Sequence, residues 1–189
     1  MNRALGCSLW LIPPLESPLN TSLSNLIKDK IPPLFKEPCI PFEPHMTITS
    51  CLPCEIDEPD ELLKRIEFGD GDEGVPEVKF NEVVAGETFF TRLTLHLERN
   101  PQLVKLAQQC REKFTVNTGD VSAEEWVKTF VPHVSLLYSS EKVPLELCKK
   151  EVEKEGIEMG QCAWKGGRIV VVDTWRKLED WKVIASRDI

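Results

Sequence analysis

The stretches HMTIT at residues 45–49 and HVSLL at residues 133–137 carry the same pattern, one in each half of the chain. In each, a histidine is followed two positions later by a hydroxyl residue, and a proline, Pro44 or Pro132, comes directly before it. Alternate side chains of a β-strand share one face, so the histidine and the hydroxyl residue point the same way while the apolar residues between them point into a core. We therefore predict two equivalent strands with matching polar faces.

The polar faces of these strands carry His45 with Thr47 and His133 with Ser135. An unperturbed imidazole titrates near neutrality, so one histidine can take a proton from water while the other protonates a leaving oxygen. The two hydroxyl groups are neutral donors suited to the oxygens of a singly charged phosphodiester. The set predicts a phosphoesterase that needs no metal and no other cofactor. Two core or edge histidines beside ordinary strand hydroxyls are the alternative that the pattern leaves open.

Hydrophobic periodicity predicts mixed strands and helices along the rest of the chain. Helices are expected around residues 19–27, 62–66, 101–114 and 145–155, and strands at 6–12, 45–52, 77–85, 88–98, 131–139, 161–173 and 181–186. This order indicates an α+β fold built on antiparallel sheet. A length of 189 residues allows one sizeable core. We predict a single domain over residues 1–189 with two lobes that share one cleft, because each half contains one histidine strand.

The bulk composition limits the class of partner. A formal net charge of −8 disfavours a general grip on long nucleic acid, which requires a basic surface. No apolar stretch is long enough to cross a bilayer. The seven cysteines lack the spacing of a disulfide framework, and the single CxxC at residues 51–54 lacks the second pair of a zinc site. These features predict a cytoplasmic monomer with free thiols and a small-molecule substrate.

The paired motifs resemble the twin motif of the two-histidine phosphoesterase superfamily, and within it the 2′,3′-cyclic-nucleotide phosphodiesterases of fungi and plants. The segment SLWL at residues 8–11, before a proline-rich turn, is similar too, and the likeness covers essentially the whole chain. The resemblance implies a bilobal fold with two antiparallel sheets and flanking helices around a central cleft in which His45 and His133 meet.

The same resemblance implies a reaction. ADP-ribose 1″,2″-cyclic phosphate, a by-product of tRNA splicing, is expected to give ADP-ribose 1″-phosphate, and nucleoside 2′,3′-cyclic phosphates to give nucleoside 2′-phosphates. One alternative is an RNA-end 2′–5′ ligase or exonuclease of the same superfamily; such an enzyme needs a basic track for RNA, and the acidic net charge counts against it. Another is a non-catalytic nucleotide-binding module, although both histidine–hydroxyl pairs are present. Peripheral Golgi association, as suggested for fungal members, is an alternative to a purely cytoplasmic location.

Two aromatic residues are candidates for substrate binding by the same resemblance. Trp10 is placed to stack on a base or to line the cleft, with core packing as the alternative. Tyr138 follows the second motif and reaches the cleft only if its strand bends or ends there. The third histidine, His96, is predicted to lie on a solvated strand face. The other tryptophans are predicted to anchor the core (Trp126, Trp164, Trp175 and Trp181), and Lys165 and Arg168 receive no role.

Overall fold

The computed structural model describes residues 6–69, 71, 74–116 and 121–189. Within them eight strands form one sheet in the order β6-β3-β4-β5-β2-β1-β7-β8, and each pair of neighbours is antiparallel. The strands are β1 (Ser8–Ile12), β2 (Met46–Thr49), β3 (Glu77–Ala85), β4 (Leu93–Leu97), β5 (His133–Leu137), β6 (Ala163–Lys165), β7 (Arg168–Val172) and β8 (Val183–Asp188). The five α-helices within the same residues are α1 (Pro18–Asn25), α2 (Pro59–Lys64), α3 (Pro101–Phe114), α4 (Ala123–Lys128) and α5 (Leu145–Lys154).

The sheet consists of two four-stranded halves that join at the two histidine strands. β5 is the last strand of one half and β2 the first of the other, and their backbone register contains the single residue pair Met46 and Val134. Both side chains of this pair are fully buried. The prediction of two antiparallel sheets is therefore wrong, because this pairing joins the halves into one sheet. Such a pairing depends on tertiary contacts, which strand periodicity does not report.

Helix α3 shows how the sequence specifies an element and its packing. The Asn100 side chain accepts a hydrogen bond from the backbone N–H of Leu103, and Pro101 occupies the first turn, where it costs no hydrogen bond. Buried residues then recur at helical spacing along one stripe, each contributing about 1.5–3 kcal/mol if it is a large apolar side chain. They are Leu103, Leu106, Ala107, Cys110 and Phe114. The predicted bounds of this helix are confirmed.

Two predicted strands are interrupted in the structure. Residues 161–173 form β6 and β7, separated at Gly166 and Gly167, whose φ angles of +67° and +108° strongly favour glycine. Residues 88–98 begin with a 3₁₀ turn at Phe89–Thr91, and only Leu93–Leu97 is strand. Helix α4, which the periodicity did not predict, starts at the N-cap Ser122, whose hydroxyl accepts from the backbone N–H of Glu125.

No helix in the described part of the chain is both long and apolar enough to cross a membrane. The cysteines all lie in described residues, and none forms a disulfide. Burial raises the pKa of Cys7 and Cys148 to about 11 and that of Cys110 to about 12, so these thiols stay protonated at neutral pH.

Candidate active site

The two motif histidines are held in the same way. Nδ1 of His45 lies 2.6 Å from the carbonyl oxygen of Glu43, and Nδ1 of His133 lies 2.9 Å from that of Val131. A carbonyl oxygen only accepts, so Nδ1 of each ring carries the hydrogen. In the neutral ring, Nε2 then carries the lone pair that can accept a proton. Each imidazole is thereby fixed in one tautomer and presents the same nitrogen for proton transfer.

The prolines before the histidines explain the shared geometry. Pro44 and Pro132 restrict the residues that precede them, Glu43 and Val131, to extended backbone conformations. Those are the two residues whose carbonyl oxygens hold the imidazoles. At the first site the Glu43 side chain is held as well, since its carboxylate lies 3.2 Å from the Arg168 guanidinium. The sequence pattern proline–histidine therefore specifies ring orientation and tautomer as well as strand entry.

Burial favours the neutral state of both imidazoles. Burial lowers the pKa of His45 to about 4, the hydrogen bond to Glu43 opposes this, and the nearby His133 lowers it further. Burial also lowers the pKa of His133, with an opposing hydrogen bond to Val131 and a smaller contribution from His96 in the same direction as burial. Desolvation dominates because a cationic ring loses its hydration when it is buried.

The hydroxyl partners lie beside their histidines as the two-residue spacing predicts. Thr47 is the register partner of Trp10 on β1, and Ser135 is the register partner of Thr94 on β4. The Ser135 hydroxyl donates to the carbonyl oxygen of Phe90 at 3.2 Å. That bond is long for a hydroxyl donor, so an anionic oxygen in the cleft can replace its acceptor at small cost.

A cavity of about 390 Å³ brings all of the sequence-predicted site residues together. It holds both histidines, both hydroxyl partners and both aromatic candidates. Its lining consists of Ser8, Trp10, His45, Thr47, Ser50, Phe90, Thr91, His133, Ser135, Tyr138, Thr174 and Trp181. None of these residues is Lys, Arg, Asp or Glu. A volume of this size is sufficient for one nucleotide-sized ligand.

The two aromatic candidates also contact the first histidine. The Trp10 ring stacks on the His45 imidazole with centroids 3.5 Å apart and planes 9° from parallel. Tyr138 is the first residue after β5 ends, and its hydroxyl lies 3.4 Å from Nε2 of His45. Because the strand ends at Leu137, the alternation that would have turned Tyr138 away no longer applies. Burial raises the pKa of Tyr138 well above its ordinary value, so its hydroxyl remains a donor.

Trp181 lines the cavity, so the prediction that it only anchors the core is wrong. Its ring is nearly parallel to that of Phe90, with centroids 6.0 Å apart, and it meets Trp10 edge-on at 5.8 Å. Trp181 precedes β8 in the sequence, and it lies near β1 because β7 pairs with both strands in the sheet. No local pattern marks it, because the aromatic rings that it meets in the cavity, Trp10, Phe90 and Tyr138, are 171, 91 and 43 residues away in sequence. Trp164, by contrast, packs in the core against Phe80 as predicted.

A cluster of three hydroxyl groups on the cavity wall was also missed. The Ser8 hydroxyl lies 2.7 Å from that of Thr174 and 3.1 Å from that of Ser50, and Thr174 is 2.9 Å from the Gly6 carbonyl oxygen. Ser8 is two residues before Trp10 in one strand, so the period of two could have identified it. The cluster gives the cavity a second polar region in addition to the two histidine–hydroxyl pairs.

His96 does not lie on a purely solvated face. It is the register partner of His133 across β4 and β5, and the two ring centroids are 6.5 Å apart. The alternation of β4 was correctly predicted, but the polar face of that strand belongs to the side of the sheet that carries the cleft. Thr94 on the same face is buried for this reason.

Among the described residues, no group of three or more His, Cys, Asp or Glu side chains is arranged to hold a metal ion. The side chains of the cavity can transfer protons through the two imidazoles and donate hydrogen bonds through hydroxyl groups.

Comparison with known proteins gives matches along the full chain. The sequence profile of the cyclic phosphodiesterase-like protein family matches residues 5–189. The 2′,3′-cyclic-nucleotide 3′-phosphodiesterase of Neurospora crassa is 31% identical over 210 residues, covering 96% of this chain and 98% of the relative. The enzyme of the same name from Phaeosphaeria nodorum is 32% identical over 195 residues, covering 97% and 99%.

Solved structures share the fold at low sequence identity. A structure described as a phosphoesterase superposes with a TM-score of 0.58 at 14% identity and covers 98% of each chain. Escherichia coli LigT complexed with 3′-AMP superposes with a TM-score of 0.55 at 11% identity, covering 100% of this chain and 99% of LigT.

Proposed function

The chain belongs to the cyclic phosphodiesterase-like protein family, and from this premise we propose that it hydrolyses nucleoside 2′,3′-cyclic phosphates to nucleoside 2′-phosphates. The observation that carries the proposal is the matched pair of imidazoles, each with its tautomer fixed by a backbone carbonyl and each beside a hydroxyl residue, on one cavity. Curated relatives with the corresponding name support the same class of substrate.

In the reaction, a neutral imidazole takes a proton from water as the water oxygen forms its bond to phosphorus. The bond from phosphorus to the 3′ oxygen breaks, and the other imidazole, in its protonated form, delivers its proton to that oxygen. The phosphate stays on the 2′ oxygen. His45 and His133 are the two imidazoles, and every atom of the products comes from water and the substrate.

Thr47 and Ser135 are proposed to donate hydrogen bonds to the non-bridging phosphoryl oxygens. Neutral donors stabilise charge that develops on those oxygens in the transition state. They also match the single negative charge of a cyclic phosphodiester. That charge raises the pKa of a neighbouring imidazole. Binding of the substrate therefore favours the protonated histidine that burial alone disfavours.

The aromatic part of the cavity supports a nucleoside as the group that carries the phosphate. The rings of Trp181, Phe90 and Tyr138 lie within 5.2–6.1 Å of one another and line the cavity beside the histidines. A nucleobase stacks on such rings with about 1–3 kcal/mol per base. We extend the proposal to ADP-ribose 1″,2″-cyclic phosphate from tRNA splicing, because it presents the same five-membered cyclic phosphate on a ribose.

A hydrolysis assay with the full chain tests the proposal. Adenosine 2′,3′-cyclic phosphate is expected to give adenosine 2′-phosphate, at a rate that excess chelator leaves unchanged. His45→Ala and His133→Ala should each lower the rate by about 10²–10⁴-fold, since each removes a proton-transfer group. Release of the 3′-phosphate, or a chelator-induced loss that zinc or magnesium restores, would contradict the proposed mechanism.

A further inference from the structure

Three neighbouring strands carry ionisable side chains in one row beside the cleft. His96 on β4 is the register partner of His133 on β5 and of Glu82 on β3. The Glu82 carboxylate lies 3.7 Å from Nδ1 of His96, and the rings of His96 and His133 are 6.5 Å apart. The row therefore runs from an exposed carboxylate through a half-buried imidazole to a histidine of the proposed active site.

We propose that His96 is a positioning residue that acts on His133 through charge: a proton on His96, which lies between Glu82 and His133, opposes a proton on His133 until an anionic substrate binds. The inference deepens the proposed function and rests on it for the role of His133. Like charges at this separation repel, so a proton on His96 makes a second proton on His133 less favourable. The phosphate of a bound substrate offsets that repulsion.

Other charged and titratable groups lie near the row. From β3, the Glu82 carboxylate faces His96 on the side away from His133. Lys79 on β3 and Glu98, directly after the end of β4, lie 3.5 Å apart as an ion pair of opposite charges. On the far side of His133, the cavity contains two further titratable groups, His45 and Tyr138. The pKa of His133 is lowered by burial and, to a smaller extent, by His96, which agrees with this arrangement.

The effect of His96 is expected to depend on salt. Its side chain is 30% exposed, so mobile ions reach the space between the two rings. Removing the charge of His96 should therefore shift the titration midpoint of His133 most at low ionic strength. A purely structural role for His96 predicts no such dependence, which separates the two explanations.

The test is an NMR titration of the His133 ring in the full chain without substrate. In His96→Gln the midpoint of His133 should rise by on the order of half a pH unit at low salt, and by less at high salt. In His96→Lys, which restores a positive charge, the midpoint should stay at or below the native value. The pH dependence of kcat/KM should move in the same direction as the midpoint in both variants.

Lys79→Gln is the matched control, because it removes one positive charge from β3 at a residue whose ion-pair partner is Glu98. An unchanged His133 midpoint in His96→Gln, or an equal rise in Lys79→Gln, would overturn the proposal. Each variant is first checked for a cooperative thermal transition. The titration needs no turnover, so its outcome is independent of whether the hydrolysis assay supports the proposed reaction.

Discussion

Thr47 and Thr94 are the same residue type on strands of one sheet, but only Thr47 lines the cavity. Replacing Thr47 with Val keeps the side-chain shape and removes the hydroxyl. Because this donor is proposed to stabilise the transition state, the rate should fall by up to about 10²–10³-fold, as for an oxyanion donor.

Thr94→Val is the control for that change. Thr94 is buried beside Ser135, so its replacement tests whether loss of a nearby hydroxyl alone lowers the rate. We expect turnover within about twofold of the native rate for a change outside the cavity. Equal losses of kcat in the two variants, with the fold intact, would remove Thr47 from the phosphate site.

The low pKa values of both histidines predict an unusual pH profile. The dependence of kcat/KM on pH reports the free enzyme, in which the proposed mechanism requires one imidazole to be protonated and the other neutral. Since the pKa of His45 is about 4 and that of His133 is also lowered, kcat/KM should fall about tenfold per pH unit from pH 7 to pH 9. The apparent pKa values in this pH profile belong to the coupled pair of histidines rather than to either residue alone.

Comparison of kcat with kcat/KM checks this interpretation. Bound substrate raises the pKa values, so the plateau of kcat should extend to higher pH than that of kcat/KM. A kcat/KM that is flat through pH 8 would mean that the imidazoles are not desolvated as the structure indicates.

Individual residues show how much of the candidate site could be predicted from the sequence. His45, Thr47, His133 and Ser135 were predictable because the period of a strand is local and each motif is complete within three residues. Trp181 was not, since its place in the cavity depends on the order of strands in the sheet. His96 was assigned to the correct strand face, but that face could not be related to the cleft before the pairing of β4 with β5 was known.

Among the contacts between secondary-structure elements, the pairing of β2 with β5 is expected to affect catalysis most. One backbone pair connects the halves of the sheet, so packing of Met46 and Val134 has to hold the two histidine strands in register. Val134→Ala should cost about 2 kcal/mol of stability and lower kcat about tenfold or more, because small displacements of catalytic groups are costly.

Val171→Ala provides the comparison for the joining strands. Val171 is equally buried but lies on β7, away from the join. It should lose similar stability, measured by urea unfolding, with kcat within about twofold of native. If both variants lose kcat equally, the join has no special influence on the site.

The elements themselves were predicted unevenly, for physical reasons. Helix α3 carries its own N-cap and a long buried stripe, so its bounds follow from local sequence. Helix α4 spans six residues and has too few turns for a periodic pattern. The single sheet in place of two results from one tertiary pairing, which local sequence does not determine.

For the molecule as a whole, the buried neutral His45 links stability to pH. Its pKa is about 4 in the folded chain, whereas an unperturbed imidazole, as in the unfolded chain, has a pKa of 6.5. The unfolded chain therefore binds the proton more readily. The contribution of this residue is complete above pH 6.5 and is lost as the pH falls towards 4. Between pH 7 and pH 5 it should amount to about 2 kcal/mol.

Urea unfolding of the native chain and of His45→Gln at both pH values measures this contribution. The variant should lose about 2 kcal/mol less than the native chain on acidification, whatever its stability at pH 7. Identical losses would show that His45 is not kept neutral by burial. Other carboxyl and histidine groups are common to both proteins, so their contributions cancel.

The uncharged wall of the cavity has a further consequence for turnover. The product is a phosphate monoester, which carries close to two negative charges at neutral pH, whereas the cyclic substrate carries one. The cavity lining contains no lysine or arginine, and the chain carries a net charge of −8. No cationic side chain of the lining therefore holds the second negative charge of the product. The site should therefore release its product readily, and free orthophosphate should inhibit it more strongly at pH 6 than at pH 8, as the monoanion becomes the dominant form.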